Sequence, residues 1–409
     1  MRNTKALPVL GAQTIISLRN RNDVLATMAA FIRQHEKEII RANQKDIQSF
    51  VSGDKAMTDR LKVDAKKVAG MATALEQLAT QKDPLGIELF SHIHTNGMRI
   101  SNKTAPFGTI LIIYESRPDV TIEAAGIAFK SGNKILLKGG KEAVHSNEYL
   151  VSLWHKALAY HNITTDKITY LNYNREQIQA FLKQPNQKLD IIIPRGGERL
   201  IAFVKEHAAC PIIVSGRGNN FVYVHKEADR ALALDIILNG KIDKISACNA
   251  VDKVLVDKEL PNREDFISNL VYSLKSYDVE VLGDHSCYKR EDVMPIEDDR
   301  IWHEEFLDYK IAIGGITNLE EATSFINTYS GGHSASIITR SESAAELFMA
   351  SVDCAAVYHN VSTRFTDGFE FGLGGELAIS TDKLHHRGPM GLQHMVTNKW
   401  YVHGEGQIR

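Results

Sequence analysis

Cys248, in the stretch ISACNA, is the side chain in this sequence best suited to nucleophilic chemistry. A cysteine is intrinsically nucleophilic even when only a small fraction of it is ionised near neutral pH. Cys248 lies between a helical pattern and the strand-like residues 253–256, and such element ends can present reactive groups to a substrate. We therefore expect Cys248 to be a nucleophile. A lone cysteine is also commonly a small buried hydrophobic residue, and that alternative stays open on local residues alone.

Two glycine-rich segments that follow predicted strands are candidates for binding a cofactor. They are Lys138-Gly139-Gly140 and Arg195-Gly196-Gly197. Open α/β sheets bind ligands at the carboxyl ends of their strands. The second segment also opens a predicted helix, whose free N–H groups, together with Arg195, suit a phosphate. The usual dinucleotide fingerprint GxGxxG and the phosphate-loop pattern are absent, and glycines at strand ends are common in ordinary turns.

Two arginines lie among small residues that let an anion approach. Arg364 lies in STRFTDG and Arg387 lies in HHRGPMG. The alternative for either is an ordinary surface or interdomain ion pair. We expect no metal site, because spacings such as HExxH and CxxC do not occur and the neighbouring His385 and His386 would need ligands from elsewhere.

Size and composition indicate a globular protein of more than one domain. The chain has 409 residues, is 44% hydrophobic and 24% charged, and carries a formal net charge of −2. This charge gives no reason to expect nucleic acid or a membrane as partner. The N-terminus lacks a secretory signal pattern and no apolar run is long enough to span a bilayer, so we expect a cytoplasmic protein. The cysteines are too few and scattered for a disulfide framework: Cys210, Cys248, Cys287 and Cys354.

The elements that must position these residues follow in order along the chain. A helical pattern covers residues 17–80, and Asn96-Gly97 then predicts a type I′ hairpin whose companion strand is the C-terminal NKWYVHG. Short apolar runs without polar alternation predict a first parallel sheet covered by helices. Those runs are residues 109–113, 134–137, 191–193, 212–214 and 221–224. A second series of strands and helices follows Cys248, between residues 254 and 350.

Long stretches spread over the whole chain resemble the γ-glutamyl phosphate reductases, a family of the aldehyde dehydrogenase superfamily. These stretches are FGTILIIYESRPDVTIEAAGIAFKSGNKILLKGGKEA, IIIPRGGERLI, CNA, WHEEFLDY, INTYSGGHSASI, VSTRFTDGFEFGLGGELAIST and HHRGPMGL. The resemblance implies an aldehyde-dehydrogenase-like α/β fold, with two doubly wound α/β domains (cofactor and catalytic) and a small β oligomerisation ribbon. It implies the following division: a cofactor domain at 1–224, interrupted by the hairpin 90–106; a catalytic domain at 225–360; a return segment at 361–390; and a ribbon formed by 90–106 with 391–409.

The resemblance also implies an activity and a set of site residues. The family reduces L-glutamyl 5-phosphate with NADPH to L-glutamate 5-semialdehyde and phosphate, in proline biosynthesis, which makes Cys248 the nucleophile that forms a thioester. Lys138 resembles the lysine that meets the adenosine ribose, and Glu305 the glutamate that meets the nicotinamide ribose. The expected substrate-binding residues, with the role of each arginine left open, are Ser116, Arg117, Asn249, Arg364 and Arg387.

Partners and rival activities follow from the same resemblance. The implied partners are the small-molecule substrate, copies of the same chain in a homo-oligomer, and glutamate 5-kinase as a candidate. One alternative is an aldehyde-oxidising dehydrogenase that hydrolyses its thioester, and another is a catalytically silent partner of the kinase. The loop SGRGNN at residues 215–220 carries no carboxylate to activate water, which favours reduction over hydrolysis. Lys138 and Lys141 favour NADPH over NADH, although Glu142 is close to them.

Overall fold

The computed structural model describes residues 16–50, 55–287 and 292–409, so the N-terminal stretch used to argue against a secretory signal lies outside them. The helices are α1 (Leu18–Gln34), α2 (Glu36–Ser49), α3 (Lys55–Leu61), α4 (Ala65–Thr80), α5 (Pro118–Lys130), α6 (Val144–Tyr160), α7 (Arg175–Lys183), α8 (Glu198–His207), α9 (Arg230–Ile242), α10 (Arg263–Lys275), α11 (Leu319–Tyr329) and α12 (Glu342–Ser351). The strands are β1 (Glu88–Ile93), β2 (Arg99–Pro106), β3 (Thr109–Tyr114), β4 (Lys134–Lys138), β5 (Ile168–Tyr170), β6 (Ile191–Arg195), β7 (Asn220–Val224), β8 (Val251–Asp257), β9 (Glu280–Gly283), β10 (Met294–Pro295), β11 (Lys310–Ile316), β12 (Ser334–Ile338), β13 (Ala356–His359), β14 (Ala378–Ser380), β15 (Gly388–Met390) and β16 (Val396–His403).

The N-terminal helices form where the sequence predicts them. The Ser17 side chain accepts a hydrogen bond from the N–H of Asn20 at the start of α1, and Asp64 accepts one from Lys67 at the start of α4. Each bond satisfies an N–H group that a helix start otherwise leaves without a partner. The apolar face predicted for α1 packs into the first core, with Phe31 only partly buried; its fully buried members are Val24, Leu25, Met28 and Ile32.

Strands β1, β2 and β16 form an antiparallel ribbon in the order β1-β2-β16. This confirms the predicted pairing of the hairpin with the C-terminal strand. The predicted type I′ turn is wrong, because Gly97 has a φ of 90° whereas Asn96 does not have a positive φ. The N–H of His94 donates to the carbonyl of Met98 at 2.8 Å, which leaves residues 95–97 as the loop. A loop of this length commonly ends on a left-handed residue, and glycine takes that position without strain.

The first sheet is parallel, with the strand order β5-β4-β3-β6. Every residue of β3 is buried, as predicted for a strand covered on both faces. The strand predicted at residues 212–214 is reduced to an isolated bridge between Ile212 and Ile192. Val214, two residues further on, donates its N–H to the carboxylate of Asp382 at 2.9 Å, so hydrogen bonding passes from the sheet to the later part of the chain.

The second sheet has seven strands in the order β10-β9-β11-β8-β7-β12-β13, all parallel. Its helices and strands confirm the series predicted after Cys248. The assignment of residues 221–224 to the first sheet was wrong, since β7 pairs with β8 and β12. A short apolar run fits either of two buried parallel sheets equally well, so its pattern could not identify the sheet.

After β13 the chain returns to the first core. Strands β14 and β15 pair with each other, and Leu377, Ala378 and Met390 pack into the core formed by the N-terminal helices and the first sheet. Ser380 also forms an isolated bridge with Ser215. The domain boundaries given above remain a prediction. In the described part of the chain, no helix has the length and apolar character needed to cross a membrane.

Candidate active site

The loop that carries Cys248 is held by the side-chain amide of Asn220, the first residue of β7. The amide nitrogen of Asn220 donates to the carbonyl oxygens of Gly218 at 2.8 Å, Cys248 at 2.8 Å and Ala250 at 2.7 Å. Gly218 lies so close that an added Cβ would be 2.0 Å from the carbonyl oxygen of Cys248. Residue 218 therefore has to be glycine, and the cysteine backbone is fixed at the amino end of β8.

Asn249, expected to bind substrate, instead holds the segment after β13 against this loop. Its side-chain nitrogen donates to the carbonyls of Arg364 at 3.1 Å and Thr366 at 3.0 Å, and its side-chain oxygen accepts from the Arg364 guanidinium. Its backbone carbonyl accepts from the hydroxyl of Thr363 at 2.7 Å. These contacts within the protein use both ends of its amide group.

Charged side chains from distant parts of the chain interact electrostatically with one another, and Arg117, Arg195 and Glu376 among them also interact with Cys248. We call them the charged cluster: Arg117, Asp119, Glu123, Arg195 and Glu376. They come from the turn after β3, the first half of α5, the end of β6 and the segment before β14. The charged cluster thus lies between the carboxyl edge of the first sheet and the amino edge of the second.

The members of the charged cluster differ in how far they are paired. Arg117 donates to Asp119 at 2.6 Å. Arg195 and Glu123, by contrast, have no side-chain hydrogen bond and no ion-pair partner within 4.0 Å among the residues that the structure describes. A partly buried charge without a partner is costly in a folded protein. These two groups are therefore the ones most available to a charged ligand.

The surroundings of Cys248 keep its thiol protonated in the free protein. Burial raises the pKa of Cys248 to about 11, the charge of Glu376 adds to the increase, Arg195 opposes it, and Glu305 adds a further increase. Burial and the charge of Asp119 raise the pKa of Glu123 to about 7. A ligand that neutralises the carboxylates would lower the thiol pKa, because the thiolate would then face less negative charge.

Glu305 lies beside the Cys248 loop. The N–H of Gly218, the residue packed against Cys248, lies close to its carboxylate. Burial raises the pKa of Glu305 to about 7. The sequence resemblance paired Glu305 with the nicotinamide ribose, and its position beside the nucleophile is compatible with that role.

Two of the predicted anion-binding arginines are already paired within the protein. Arg387 donates to the carboxylate of Asp353 at 2.6 Å and to its carbonyl at 2.8 Å. Arg364 donates to Asp243 at 2.9 Å, in addition to its contacts with Asn249. Both arginines thus form the ion pairs that the sequence left open as their alternative role.

The glycine segments predicted to bind a cofactor lie at the ends of β4 and β6, on either side of β3. Gly197 caps α8, a helix of 10 residues, and a Cβ added there would meet nothing within 4 Å. The N–H of Gly197 donates to the Glu115 carboxylate at 3.1 Å, so a phosphate bound at this helix start would take the place of that carboxylate. Arg195 is different, since it interacts with Cys248 and Glu376 in the charged cluster.

Sequence reasoning missed Glu123, Glu376, Gly218 and Asn220. Glu123 carried a signal, because it is a carboxylate one turn after Asp119 in the otherwise apolar segment 120–129. The other residues carried none that a pattern could identify. Among the described residues, no group of three or more His, Cys, Asp or Glu side chains could hold a metal ion.

Comparison with known proteins agrees with this geometry. The aldehyde dehydrogenase family profile matches residues 9–287. The γ-glutamyl phosphate reductase of Clostridium botulinum (strain Eklund 17B / Type B) is 40% identical over 391 residues, covering 95% of this chain and 94% of that protein. The crystal structure of γ-glutamyl phosphate reductase from Thermotoga maritima superposes with a TM-score of 0.91 at 38% identity, covering 96% of this chain and 95% of that one.

A more distant structure shares only the fold. The glyceraldehyde-3-phosphate dehydrogenase GapN of Methanocaldococcus jannaschii, complexed with NADP, is 16% identical with a TM-score of 0.65, covering 95% of this chain and 90% of that one. The family profile and the two similar reductases each cover most of the chain. The chain belongs to the γ-glutamyl phosphate reductases of the aldehyde dehydrogenase family.

Proposed function

We propose that this chain reduces L-glutamyl 5-phosphate to L-glutamate 5-semialdehyde with NADPH and releases phosphate, as a step of proline biosynthesis. The observation that carries the proposal is the position of Cys248 among unpaired charges of both signs, in a chain of this family. The substrate carries an ammonium, a carboxylate and a phosphate. Arg195 and Arg117 are suited to its anions and Glu123 to its ammonium.

Cys248 is the nucleophile in this proposal. Its sulfur bonds to the acyl carbon while the bond from that carbon to the phosphate oxygen breaks, and the thiol proton passes to a neighbouring carboxylate. Glu305, with a pKa of about 7, is suited to accept it because it is close to half ionised near neutral pH. The product of this step is a thioester, and reduction then returns the cysteine to its thiol form as the aldehyde leaves.

Proteins of the aldehyde dehydrogenase family use a nicotinamide cofactor. When bound, it supplies the hydride that reduces the thioester. The residues suited to hold it are Gly139, Gly140, Gly196 and Gly197 at the strand ends, with Lys138 toward the adenosine ribose and Glu305 near the nicotinamide. We propose NADPH as the cofactor, since Lys138 and Lys141 can meet a 2′-phosphate.

The ribbon supports a homo-oligomer. Its strand β1 is exposed along its whole length, and large apolar side chains cover the ribbon surface. They include Leu89, Phe90, Ile93, Trp400 and Val402, exposed by 50% or more. Apolar surface of this kind marks contact between chains. Light scattering of the purified chain tests the homo-oligomer. We also propose a cytoplasmic location and glutamate 5-kinase as a candidate partner, and co-purification with the kinase tests that partner.

The test of the activity is a coupled assay with glutamate 5-kinase, glutamate, ATP and NADPH. The wild type should consume NADPH and release phosphate beyond what the kinase reaction alone explains. Cys248→Ala should abolish this reduction and leave NADPH binding near the wild-type level, because it removes the nucleophile and little surface. Cys210→Ala is the matched control. Cys210 is partly exposed, and its thiol contacts the carbonyl of Pro211 and no member of the charged cluster among the described residues. Substantial turnover by Cys248→Ala would overturn the proposal.

A further inference from the structure

The peptide groups on both sides of Glu305 are held by buried charged side chains from the strand that follows Cys248. The Nζ of Lys253 donates to the carbonyl of Glu304 at 2.7 Å and lies 3.5 Å from the centre of the Phe306 ring. The carboxylate of Asp252 accepts a hydrogen bond from the N–H of Phe306 at 2.8 Å. Glu305 is therefore held from the residue before it and from the residue after it.

An irregularity in β8 lets two successive side chains act on the same segment. In a regular strand neighbouring side chains point to opposite faces. Here Asn220 pairs with Val251 and Phe221 pairs with Lys253, so Asp252 is an extra residue in β8. Bulges of this kind redirect side chains and are common beside active sites. Both Asp252 and Lys253 can thus reach the chain around Glu305.

The ionisable groups of this arrangement lie away from water, and burial lowers the pKa of Lys253 to about 7. Lys253 is completely buried and Asp252 is 2% exposed. The other oxygen of Asp252 accepts from the Nζ of Lys241 at 2.9 Å, and Lys241 is also completely buried. Buried ionic groups are expensive unless they are hydrogen-bonded, and their hydrogen bonds favour one geometry of the groups that they join.

The residues shortly before Glu305, Trp302 and His303, are held as well. Asn219 donates to the carbonyl of Trp302 at 2.6 Å, and Arg217 donates to the carbonyl of His303 at 3.0 Å. Gly218, between these two donors, has its own N–H close to the Glu305 carboxylate. The Cys248 loop and the Glu305 segment are therefore joined by contacts that leave little freedom between them.

We propose that Asp252 and Lys253 are positioning residues, which fix the peptide groups flanking Glu305 and so hold its carboxylate against Gly218 and beside Cys248. The proposal rests on Glu305 being part of the active site, as the proposed function has it. Neither residue touches substrate or cofactor, and both act through Glu305.

The first test needs no cofactor and no turnover. It measures the rate at which iodoacetamide alkylates Cys248 at pH 8, followed on the Cys248 peptide by mass spectrometry. Because the charge of Glu305 contributes to the high pKa of Cys248, Glu305→Gln should raise this rate about threefold, the effect of a pKa about half a unit lower. Lys253→Met should also raise the alkylation rate of Cys248, and it should cause no further increase when it is combined with Glu305→Gln.

Lys310→Met is the matched control. The Nζ of Lys310 lies 5.1 Å from the centre of the same Phe306 ring, but it pairs with Glu280 at 3.7 Å. This variant should alkylate at the wild-type rate. Asp252→Asn acts on the peptide group that follows Glu305. It replaces Lys253→Met in this test if Lys253→Met does not fold, which thermal unfolding of each variant shows.

The second test titrates NADPH by fluorescence. Lys253→Met and Asp252→Asn should each weaken binding about tenfold, as loss of residues that orient a ligand-binding group typically does, and neither should weaken it further in Glu305→Gln. An equal effect of Lys253→Met with and without the Glu305 carboxylate, or no effect in a folded variant, would overturn the positioning role. If the wild type neither binds NADPH nor reduces substrate, the proposed function fails, and the alkylation result still decides this inference.

Discussion

The carboxylate of Glu142 accepts hydrogen bonds from both the backbone N–H of Ser116, at 2.8 Å, and its hydroxyl, at 2.6 Å. Ser116 is 2% exposed and has a φ of 34°, in the region that residues with a Cβ rarely adopt. The two bonds stabilise the turn that leads from β3 into Arg117. Since Glu142 lies two residues after Gly140, it joins the expected cofactor-binding segment to the turn that carries Arg117 of the charged cluster.

The first prediction separates the geometry of Glu142 from its charge. Glu142→Gln keeps an acceptor oxygen for Ser116 and removes a negative charge that acts on Lys138. We expect its kcat to stay within about threefold of wild type and its KM for NADPH to fall, because a 2′-phosphate would meet less repulsion. Glu142→Ala removes the bonds as well, and we expect kcat to fall about tenfold or more, as misplaced active-site groups typically cause.

Steady-state kinetics with NADPH and with NADH check both parts of this prediction. The KM for NADH, which lacks the 2′-phosphate, should change little in Glu142→Gln. Equal losses of kcat in the two variants would show that the charge of Glu142, and not its hydrogen bonds, matters for the turn.

The second prediction concerns which arginine serves the substrate. Arg195→Met should raise KM for L-glutamyl 5-phosphate by about tenfold to a hundredfold, because it removes an unpaired cation that faces the nucleophile. It should also slow alkylation of Cys248, since Arg195 lowers the pKa of that thiol. Arg387→Met, the matched control, should leave KM unchanged and lower the melting temperature, because Asp353 keeps Lys383 but loses the guanidinium. The reverse pattern would assign the anion to Arg387.

The sequence predicted where strands form better than it predicted which sheet each strand joins. Uniformly apolar strands gave clear signals, yet the run at 221–224 fits either sheet, and only its pairing with β8 and β12 decides between them. Arg195 shows the same limit for the site. It follows a strand and precedes glycines, which is typical of a phosphate-binding turn, but its side chain interacts with Cys248.

The remaining site residues depend on contacts between distant positions. Asn220 binds the carbonyl of Cys248 across 28 positions, and Asn249 binds that of Thr366 across 117. Local sequence determines helices and strands through periodicity and caps, whereas such contacts depend on how complete elements pack. Cys248 itself could be identified because its chemistry, its place at an element end and the resemblance of the chain all agreed.

The third prediction follows from His333, which is completely buried and whose Nε2 has no hydrogen-bond partner among the residues that the structure describes. Burial lowers the pKa of His333 to about 4. The unfolded chain has a histidine pKa of about 6.5, so below that pH protons bind preferentially to the unfolded state. Stability from this group is complete above about pH 6.5 and is lost as the pH falls toward 4. Its share amounts to about 2 kcal/mol of unfolding free energy between pH 7 and pH 5.

Denaturant unfolding of wild type and His333→Gln at these two pH values measures that share. The variant should lose about 2 kcal/mol less than wild type between pH 7 and pH 5. His92→Gln is the control, since His92 is exposed on the ribbon, and it should follow the wild type. An identical pH dependence in wild type and His333→Gln would contradict the assignment.

The last prediction concerns water at the thioester. The loop at 215–220 has no carboxylate, but the structure places Glu305 beside Cys248 with a pKa of about 7, so one candidate base is present. Because Glu305 lies close to the N–H of Gly218 and is expected near the nicotinamide, we expect it to activate water poorly. Effective general base assistance is typically worth about 10²–10⁴-fold, and without it hydrolysis should be slow beside reduction.

Mixing the protein with L-glutamyl 5-phosphate and no NADPH should release phosphate about once per active site and then nearly stop. Cys248→Ala gives the blank for spontaneous cyclisation of the substrate. Glu305→Gln should remove most of any slow release that remains, and continued release in that variant would mean that another group activates water.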